Sequence, residues 1–332
     1  MQGVGIQPDV LVLRTETHLS DAIRQKVASV CNVSLECVVQ SEDLPSIYDG
    51  PVNMQRQGLD AALLRKFGVP VGETPKMEGW HRFLELQRTA TKEVHVGLVG
   101  KYDLQDAYKS IRESLILAGI YNHVKVKIDF VNSENINREN VAEKLSGVAG
   151  ILVCPGFGQR GIEGKIVAVE YARENNLPAF GICLGMQMMV IEFARNVLGY
   201  TDADSSEMNA DTPHNVIDLM EEQKTVTNMG GTMRLGAYNC ELRKSSRVAD
   251  IYGTLQVSER HRHRYEFNNR YKEEYEKTGM MCVGTNPESG LVEIVEIPGH
   301  RWFVGTQFHP EYSSTVLHPH PLFMDFVKTM TE

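Results

Sequence analysis

Apolar residues occur along this chain in two patterns, short continuous runs and longer stretches with helical spacing. The runs at 10–13, 94–99, 150–154 and 178–182 have the length of buried strands. Helices are predicted at 106–119, 163–176 and 186–198, and an earlier one begins after Ser20, where Ile23, Val27 and Val30 have helical spacing. Strands that alternate with helices favour parallel pairing. The pattern therefore predicts an α/β fold, with a layered, mostly parallel sheet and helices on both of its faces.

The remaining segments define the domain organisation. A second helix is predicted over 54–67, and residues 124–130 alternate as in a strand with one exposed face. Three successive strands, at 280–286, 291–297 and 302–308, predict an antiparallel addition at one edge, and a last helix is predicted over 319–331. Glycine and proline are frequent at 68–75. We therefore divide the chain into a first domain at 1–67, a linker at 68–92 with a short helix near Trp80, and a main domain at 93–332.

Composition and charge exclude several classes of protein. The chain has 332 residues, 42% hydrophobic and 23% charged, so it can bury a core and is not disordered. Its net charge of −9 argues against a nucleic-acid partner, and no apolar run approaches the roughly 20 residues of a membrane helix. The six cysteines form no C-x-x-C pair, which argues against structural zinc. Because we find no secretion signal, a cytoplasmic location is expected.

The strongest local motif surrounds Cys183. Gly181 and Gly185 flank this cysteine between a predicted strand and a predicted helix. This is the cysteine form of a nucleophile elbow, a tight turn that needs small neighbours and lifts the central side chain out of the sheet. The following helix N-terminus favours a thiolate, and the amide of Leu184 would point towards a developing oxyanion. The alternative is a buried structural cysteine between two packing glycines.

A thiolate nucleophile needs a proton acceptor, and His309 is the candidate. It lies near the end of a predicted strand that stops at Pro310. Glu311 is two residues further on, so in extended chain both side chains project to the same side. Glu311 would then hold His309 in the tautomer that accepts a proton from Cys183. Taken alone, a His-Pro-Glu sequence at the end of a strand also fits a loop without a role.

Alternating basic residues follow at 260–264. Arg260, Arg262 and Arg264 share one face of a predicted strand, and His261 and His263 share the other. The arginines could form a phosphate or nucleic-acid patch, which the acidic net charge argues against. The two histidines have a spacing that could bind a metal, but the neighbouring arginines would oppose a cation.

Several motifs together carry a resemblance to known families. The strings GICLGMQ (181–187) and QFHPE (307–311) resemble the class I glutamine amidotransferases, in which a Cys-His-Glu triad releases ammonia from glutamine. Four further strings resemble the CTP synthase family. They are GIQPDV (5–10), CPGFGQRGIEGK (154–165), NMGGTMRLG (228–236) and ERHRHRYE (259–266).

The resemblance implies roles for individual residues. Cys183 would carry the thioester, with His309 and Glu311 as its triad partners. Arg264 and Glu207 would hold the carboxylate and amino ends of glutamine, as suits a molecule with one charge of each sign. Without the family, Glu207 fits a solvated acid in a polar loop. The remaining glutamine-binding residues implied by the family are Gly156, Leu184, Gly185, Met186 and Gln187.

The loop at 154–158 departs from the family pattern. The family usually has Pro-Gly-Gly-Phe-Gly there, so Pro155 replaces a glycine and removes one backbone N–H. If the amide of Gly156 is the oxyanion donor, the replacement removes no catalytic group. If the donor were the amide of residue 155, glutaminase activity would suffer. The segment 157–165 resembles the GTP-responsive lid of the family, although a surface loop would look similar.

A larger departure concerns residues before 93, which contain no G-x-x-x-x-G-K-[ST] loop. Residues 1–67 resemble only the tail of the family's ATP-dependent amidoligase domain, so the chain is expected to be a fragment. Arg14 and Lys26 match positions that contact ATP phosphates and the pyrimidine nucleotide, respectively, but each could equally be a surface base. We expect no cofactor and no metal in this chain. In the intact enzyme the resemblance implies ATP, Mg²⁺ and UTP, GTP as activator, CTP as inhibitor, and a homotetramer.

The sequence thus leads to one main hypothesis and two alternatives. The main hypothesis is the glutamine-hydrolysing half of an enzyme that aminates UTP to CTP with ammonia from L-glutamine. One alternative is a stand-alone glutamyl hydrolase, or an amidotransferase that works with a separate partner chain. The other is a non-catalytic or regulatory fragment that assembles with a full-length synthase.

Overall fold

The computed structural model describes residues 2–103, 106–219 and 233–332. The chain divides into two compact units, Met1–Leu84 and Glu85–Glu332. This boundary falls inside the segment 68–92 that the sequence predicts as a linker. Residues 228–232 of the string 228–236 lie outside the described residues.

The first unit contains a small parallel sheet and three helices that follow its strands. The strands are β1 (Leu11–Thr15) and β2 (Val38–Glu42), which pair in parallel. The helices are α1 (Asp21–Cys31), α2 (Gly50–Arg56) and α3 (Leu59–Lys66). Ser20 caps α1 as predicted, because its side chain accepts a hydrogen bond from the amide of Ile23. The single helix predicted over 54–67 is wrong, because Gly58 adopts a φ of +75° between α2 and α3.

Most of the chain forms the second unit, whose described residues contain twelve further strands and most of the helices. The helix α4 (Glu78–Thr89) spans the boundary. The other helices are α5 (Lys109–Tyr121), α6 (Val141–Lys144), α7 (Ile162–Glu174), α8 (Leu184–Phe193), α9 (Arg247–Tyr252), α10 (Lys272–Thr278) and α11 (Pro321–Thr331). The strands are β3 (Lys92–Gly100), β4 (Val124–Asn132), β5 (Gly150–Val153), β6 (Ala179–Ile182), β7 (Asp204–Ser205), β8 (Asn215–Leu219), β9 (Arg234–Leu242), β10 (Gln256–His263), β11 (Tyr265–Phe267), β12 (Met281–Thr285), β13 (Val292–Glu296) and β14 (Phe303–Thr306).

A nine-stranded sheet forms the centre of this unit. Its order is β10-β9-β12-β13-β14-β6-β5-β3-β4, and the five strands from β14 to β4 pair in parallel. A separate three-stranded sheet has the order β11-β8-β7. Both faces of the large sheet are covered. On one face, the ring of Phe180 packs against Trp302 and Phe326 at centroid distances of 5.1 and 5.7 Å. On the other, α7 and α8 contribute buried apolar side chains. The predicted layered α/β fold is confirmed.

The position of β14 differs from the prediction. The sequence analysis placed 302–308 in an antiparallel addition at the sheet edge. Instead β14 is an interior strand, antiparallel to β13 but parallel to β6. It is also shorter than predicted, and all four of its residues are buried. The antiparallel part of the sheet therefore consists of β13, β12, β9 and β10. Pairing with β6 is the feature that positions the candidate site.

The turn between β6 and α8 has little room. Cys183 has a φ of +53°, which is uncommon for a residue with a side chain. A Cβ on Gly185 would lie 2.1 Å from the carbonyl oxygen of Val153, and one on Gly181 would lie 2.7 Å from a backbone atom of Gly185. The helix α8 begins at Leu184, two residues earlier than predicted, and continues into a π-helical segment at Ala194–Leu198. The two glycines are thus required by close backbone contact.

We expect Gly185→Ala to lower the free energy of unfolding by about 2–3 kcal/mol, because the added methyl group meets backbone that cannot move without distorting the turn. Denaturant titration followed by circular dichroism measures this change. Gly72→Ala is the control, since nothing lies within 4 Å of its added Cβ. Equal stability of Gly185→Ala and the wild-type chain would show that the turn is looser than the structure indicates.

Candidate active site

Cys183 lies at the carboxyl end of β6 and immediately before α8. Its amide donates a hydrogen bond to the carbonyl oxygen of Thr306 at 2.7 Å, so the cysteine is tied to the end of β14. The side chain is nearly buried but reaches a cavity. The side-chain amide of Gln307 lies 3.7 Å from its sulfur. The strand–turn–helix context that the sequence predicts for a nucleophile elbow is present.

His309 and Glu311 form a buried pair three residues beyond β14. The Nδ1 atom of His309 lies 2.7 Å from Oε1 of Glu311. The backbone amide of His309 donates to the carbonyl of Arg260 at 2.8 Å, and its ring stacks on Tyr312. The two side chains do not meet in an extended chain as expected, because Pro310 begins a 3₁₀ turn that carries Glu311. The expected pair forms through this turn.

The imidazole of His309 contacts Glu311 through Nδ1, while its Nε2 atom is buried without a hydrogen-bond partner among the described residues and the charge of Cys183 acts on the ring. Burial opposes its protonation, but the negative charges of the Cys183 thiolate and the Glu311 carboxylate outweigh that penalty and raise the pKa of His309. A protonated His309 ring is therefore favoured whenever the Cys183 sulfur is deprotonated. This charge arrangement suits a nucleophile and its general base.

A cavity of about 310 Å³ opens beside Cys183. Its walls include the predicted residues Gly156, Gln187, Glu207 and Arg264. Residues that the sequence analysis did not assign to the site complete its lining, namely Phe157, Met233, His263 and Tyr265. Adjacency in the chain could have indicated three of them, because Phe157 follows Gly156 and His263 and Tyr265 flank Arg264.

The other predicted glutamine-binding residues lie in or behind the elbow. Leu184, Gly185 and Met186 are buried and do not line the cavity. Met186 packs against β14, where a Cβ on Gly305 would lie 2.9 Å from its side chain. Gln187 donates from Nε2 to the carbonyl of Tyr265 at 3.0 Å, and so links α8 to the cavity wall. The backbone amide of Leu184 begins α8 and remains a predicted oxyanion donor.

The cavity carries opposite charges. Glu207 and Arg264 are both half-buried at its wall. One carboxylate oxygen of Glu207 accepts a hydrogen bond from the amide of Gly158 at 3.2 Å, and its own amide donates to the Ser205 hydroxyl at 3.1 Å. The carboxylate is therefore held next to the loop that contains Gly156. A ligand with an ammonium and a carboxylate group would find a partner for each.

His261 and His263 belong to a buried polar cluster, of which His263 reaches the cavity wall. Their rings are joined by a hydrogen bond of 2.8 Å between Nδ1 and Nε2. Burial lowers their pKa to about 2 and about 3, and the nearby guanidinium of Arg234 adds to this effect. Arg234 pairs with Glu293 at 2.7 Å. Across the described ranges, no group of three or more His, Cys, Asp or Glu residues could hold a metal ion. Arg260 and Arg262 are exposed on the opposite face of β10, as predicted. However, Arg264 does not share that face, because the strand ends at His263 and Arg264 lines the cavity.

The two predicted nucleotide-binding residues belong to the first unit. Arg14 is exposed and pairs with Asp43, and it also donates to the carbonyl of Ser41 at 3.2 Å. Lys26 is exposed on α1. Neither has a buried polar setting that indicates a phosphate site, and no ATP or magnesium chemistry follows from them. No helix in the described part of the chain is long and apolar enough to cross a membrane.

Comparison with known proteins gives this site a context. A family model described as glutamine amidotransferase class-I matches residues 103–329, and one described as CTP synthase N-terminus matches 1–69. The chain therefore belongs to the class-I glutamine amidotransferase family. A solved structure of the Trypanosoma brucei CTPS glutaminase domain with bound acivicin shares 39% identity and a TM-score of 0.68. That match covers 72% of this chain and 94% of the solved one.

Full-length relatives narrow the assignment. The CTP synthase of Bacteroides thetaiotaomicron is 65% identical over 334 residues, and that of Porphyromonas gingivalis is 60% identical over 329 residues. These matches cover 100% and 99% of this chain. The chain spans 62% and 61% of the length of these two relatives. Within its class, it is a member of the CTP synthase family.

The charge state of His309 can be tested directly. Because its pKa is raised, we expect its ring to carry both protons at pH 7, while the rings of His261 and His263 stay neutral. The stabilisation from His309 protonation is fully present below the ordinary pKa of about 6.5 and is lost as the pH rises through the raised value. Ring ¹⁵N chemical shifts measured as a function of pH report each histidine.

A variant isolates the cause of this shift. Cys183→Ser removes one of the two negative charges and should lower the pKa of His309. Cys282→Ser, which alters a different buried cysteine, should leave it unchanged. A neutral His309 ring at pH 7 in the wild-type chain would contradict the ion pair.

Proposed function

We propose that this chain hydrolyses L-glutamine to glutamate and ammonia at Cys183. The observation that carries the proposal is the cavity itself. Cys183 lines it together with Glu207 and Arg264, one acidic and one basic side chain that suit the two charges of a free amino acid. His309, paired with Glu311, completes the catalytic group. The solved Trypanosoma brucei structure is named as a glutaminase domain, which supports the same activity for this chain.

The geometry supports a two-step mechanism. The Cys183 sulfur attacks the side-chain amide carbon of glutamine, and the negative charge that forms on the amide oxygen is held by the amides of Leu184 and Gly156. The protonated ring of His309 gives its proton to the leaving nitrogen, so that ammonia departs and a glutamyl thioester remains. His309 then takes a proton from water, which attacks the thioester and restores the thiolate. Glu311 keeps the ring oriented throughout.

The role of the whole enzyme is a further part of the proposal. The match of residues 1–69 and the names of the relatives support amination of UTP to CTP, with the ammonia made at this site. We propose ATP and Mg²⁺ as requirements of the intact enzyme, GTP as its activator, CTP as its inhibitor, a homotetramer as its assembly, and the cytoplasm as its location.

The alternatives make different demands on the site. A non-catalytic fragment has no need of a charged His309 beside Cys183, so the buried pair favours catalysis. A stand-alone glutamyl hydrolase would use the same triad, but the match of residues 1–69 to the CTP synthase N-terminus favours an amidotransferase.

We expect Cys183→Ser and His309→Ala to reduce glutamate release from glutamine by at least about 1,000-fold, because each removes a group that acts in the covalent step. A coupled glutamate dehydrogenase assay on the purified chain measures the rate. Cys282→Ser controls for loss of a buried thiol elsewhere in the sheet and should retain the wild-type rate. Activity that survives in Cys183→Ser would refute the assignment of the nucleophile.

Arg264 is expected to contribute to binding more than to chemistry. Arg264→Ala should raise the KM for glutamine about 10- to 100-fold, as expected for a lost charge-assisted hydrogen bond, and change kcat far less. Arg262→Ala is the matched control, because Arg262 is exposed on β10, whereas Arg264 follows the strand and lines the cavity. A KM that is equal in both variants would show that Arg264 does not hold the substrate carboxylate.

A further inference from the structure

Two buried lysines contact the loop that contains Gly156, and the mechanism above does not use them. Lys101 follows β3 and is 6% exposed, and Lys165 lies on α7 and is 0% exposed. The ammonium group of Lys165 donates to the carbonyl of Cys154 at 2.6 Å. That of Lys101 donates to the carbonyl of Phe157. The two lysines therefore hold the loop at both of its ends.

Gly156 lies between these two anchored carbonyls. Its amide belongs to the peptide bond between Pro155 and Gly156. The ring of Pro155 fixes the φ angle of that proline, which precedes this peptide bond. A Cβ placed on Gly156 would lie 3.5 Å from Cε and 4.0 Å from Nζ of Lys101, and 3.5 Å from a methyl group of Leu184. The Lys101 ammonium is therefore next to the amide that we assign to the oxyanion. The two anchored carbonyls, on either side of Gly156, restrict the movement of the loop that carries this amide.

The electrostatic setting of these lysines is unusual. Among the residues that the structure describes, neither lysine has an ion-pair partner. A buried ammonium without a carboxylate is costly unless another negative charge is near. Burial, together with the charge of Lys101, lowers the pKa of Lys165 to about 8, although Cys154 and Cys183 act in the opposite direction. The charges that would balance the lysines are the Cys183 thiolate and the oxyanion formed during the reaction.

We propose that Lys101 and Lys165 are positioning residues for glutamine hydrolysis, which orient the Gly156 amide through the carbonyls of Phe157 and Cys154 and add positive charge behind the thiolate and the oxyanion. This inference rests on the proposed glutaminase function. Neither lysine touches a reacting atom. Their effect is on the groups that do, so they contribute to the transition state more than to substrate binding.

The first test separates kcat from KM. Lys165→Met and Lys101→Met keep a long side chain and remove the charge and the carbonyl contact. We expect kcat for glutamate release to fall about 10- to 100-fold, somewhat less than the loss of an oxyanion donor itself. The KM for glutamine should change less than about 3-fold, because Glu207 and Arg264 are intact. Lys101→Arg retains the charge and should recover part of the loss. Lys125→Met, at an exposed position on β4, is the control.

The second test measures the thiolate directly. The rate at which iodoacetamide alkylates Cys183 as a function of pH reports its ionisation. Loss of the Lys165 charge should move the midpoint of this profile to higher pH, whereas a role limited to packing would leave it in place. The ionisable groups that act on Lys165 are Cys154 at the end of β5, Lys101 at the end of β3 and Cys183 at the end of β6. The alkylation profiles are measured in chains that also carry Cys154→Ser, so that the thiol of Cys154 does not contribute to them.

The possible outcomes separate the positioning role of the two lysines from the proposed glutaminase function. A wild-type chain that releases no glutamate overturns the proposed function, and the alkylation profile then still decides whether the lysines act on Cys183. An active wild-type chain whose lysine variants keep both kcat and the alkylation midpoint overturns the inference. If Lys165→Met melts far below the wild-type chain, Lys101→Met and Lys101→Arg decide the question by the same criteria.

Discussion

The parallel pairing of β6 with β14 places the catalytic groups. Ile182 is opposite Thr306 in this register, and the amide of Cys183 continues the ladder by donating to the Thr306 carbonyl. Side chains that follow the carboxyl ends of neighbouring parallel strands meet at one edge of a sheet. Cys183 and His309 therefore meet although 126 positions separate them in the chain. A slip of one residue would turn each side chain to the opposite face. Close packing at Gly181, Gly185 and Gly305 holds the register.

Around this pair, the site is arranged by charge. The thiolate and Glu311 stabilise the His309 cation, and two lysine ammonium groups lie behind the loop that faces the sulfur. Glu207 contacts the same loop through the amide of Gly158. Binding of an ammonium group at Glu207 would thus act on the segment that contains Gly156. The substrate-binding and oxyanion parts of the site therefore contact one short piece of backbone.

Local patterns were sufficient to predict the elements and the nucleophile. The elbow at Cys183 is recognisable because its requirements, a strand, two glycines and a helix, are contiguous in the chain. The helix over 54–67 was wrong because its apolar positions continue across Gly58, and only the backbone shows that Gly58 adopts a left-handed conformation. The pairing of β14 was wrong for a different reason. Strand partners are set by contacts between distant segments, and a short apolar run carries no information about its neighbour.

The binding residues illustrate the same limit. Glu207 and Arg264 were found through family resemblance and not through their surroundings, since Glu207 also fits a solvated acid and Arg264 also fits a phosphate or nucleic-acid patch. Lys101 and Lys165 were not recognised as part of the site, because lysine is usually exposed and nothing nearby in sequence indicates that these two are buried. Gln307 was within a recognised string, but its position beside the Cys183 sulfur depends on β14.

The covalent intermediate provides the decisive measurement. The chain is mixed with saturating glutamine, quenched in acid within milliseconds, digested, and examined by mass spectrometry. We predict a glutamyl group on the peptide that contains Cys183. Hydroxylamine should remove this group, because it cleaves thioesters. Turnover of glutamine with the adduct on another residue, or with an unchanged rate when Cys183 is already alkylated, would contradict the assignment of this site.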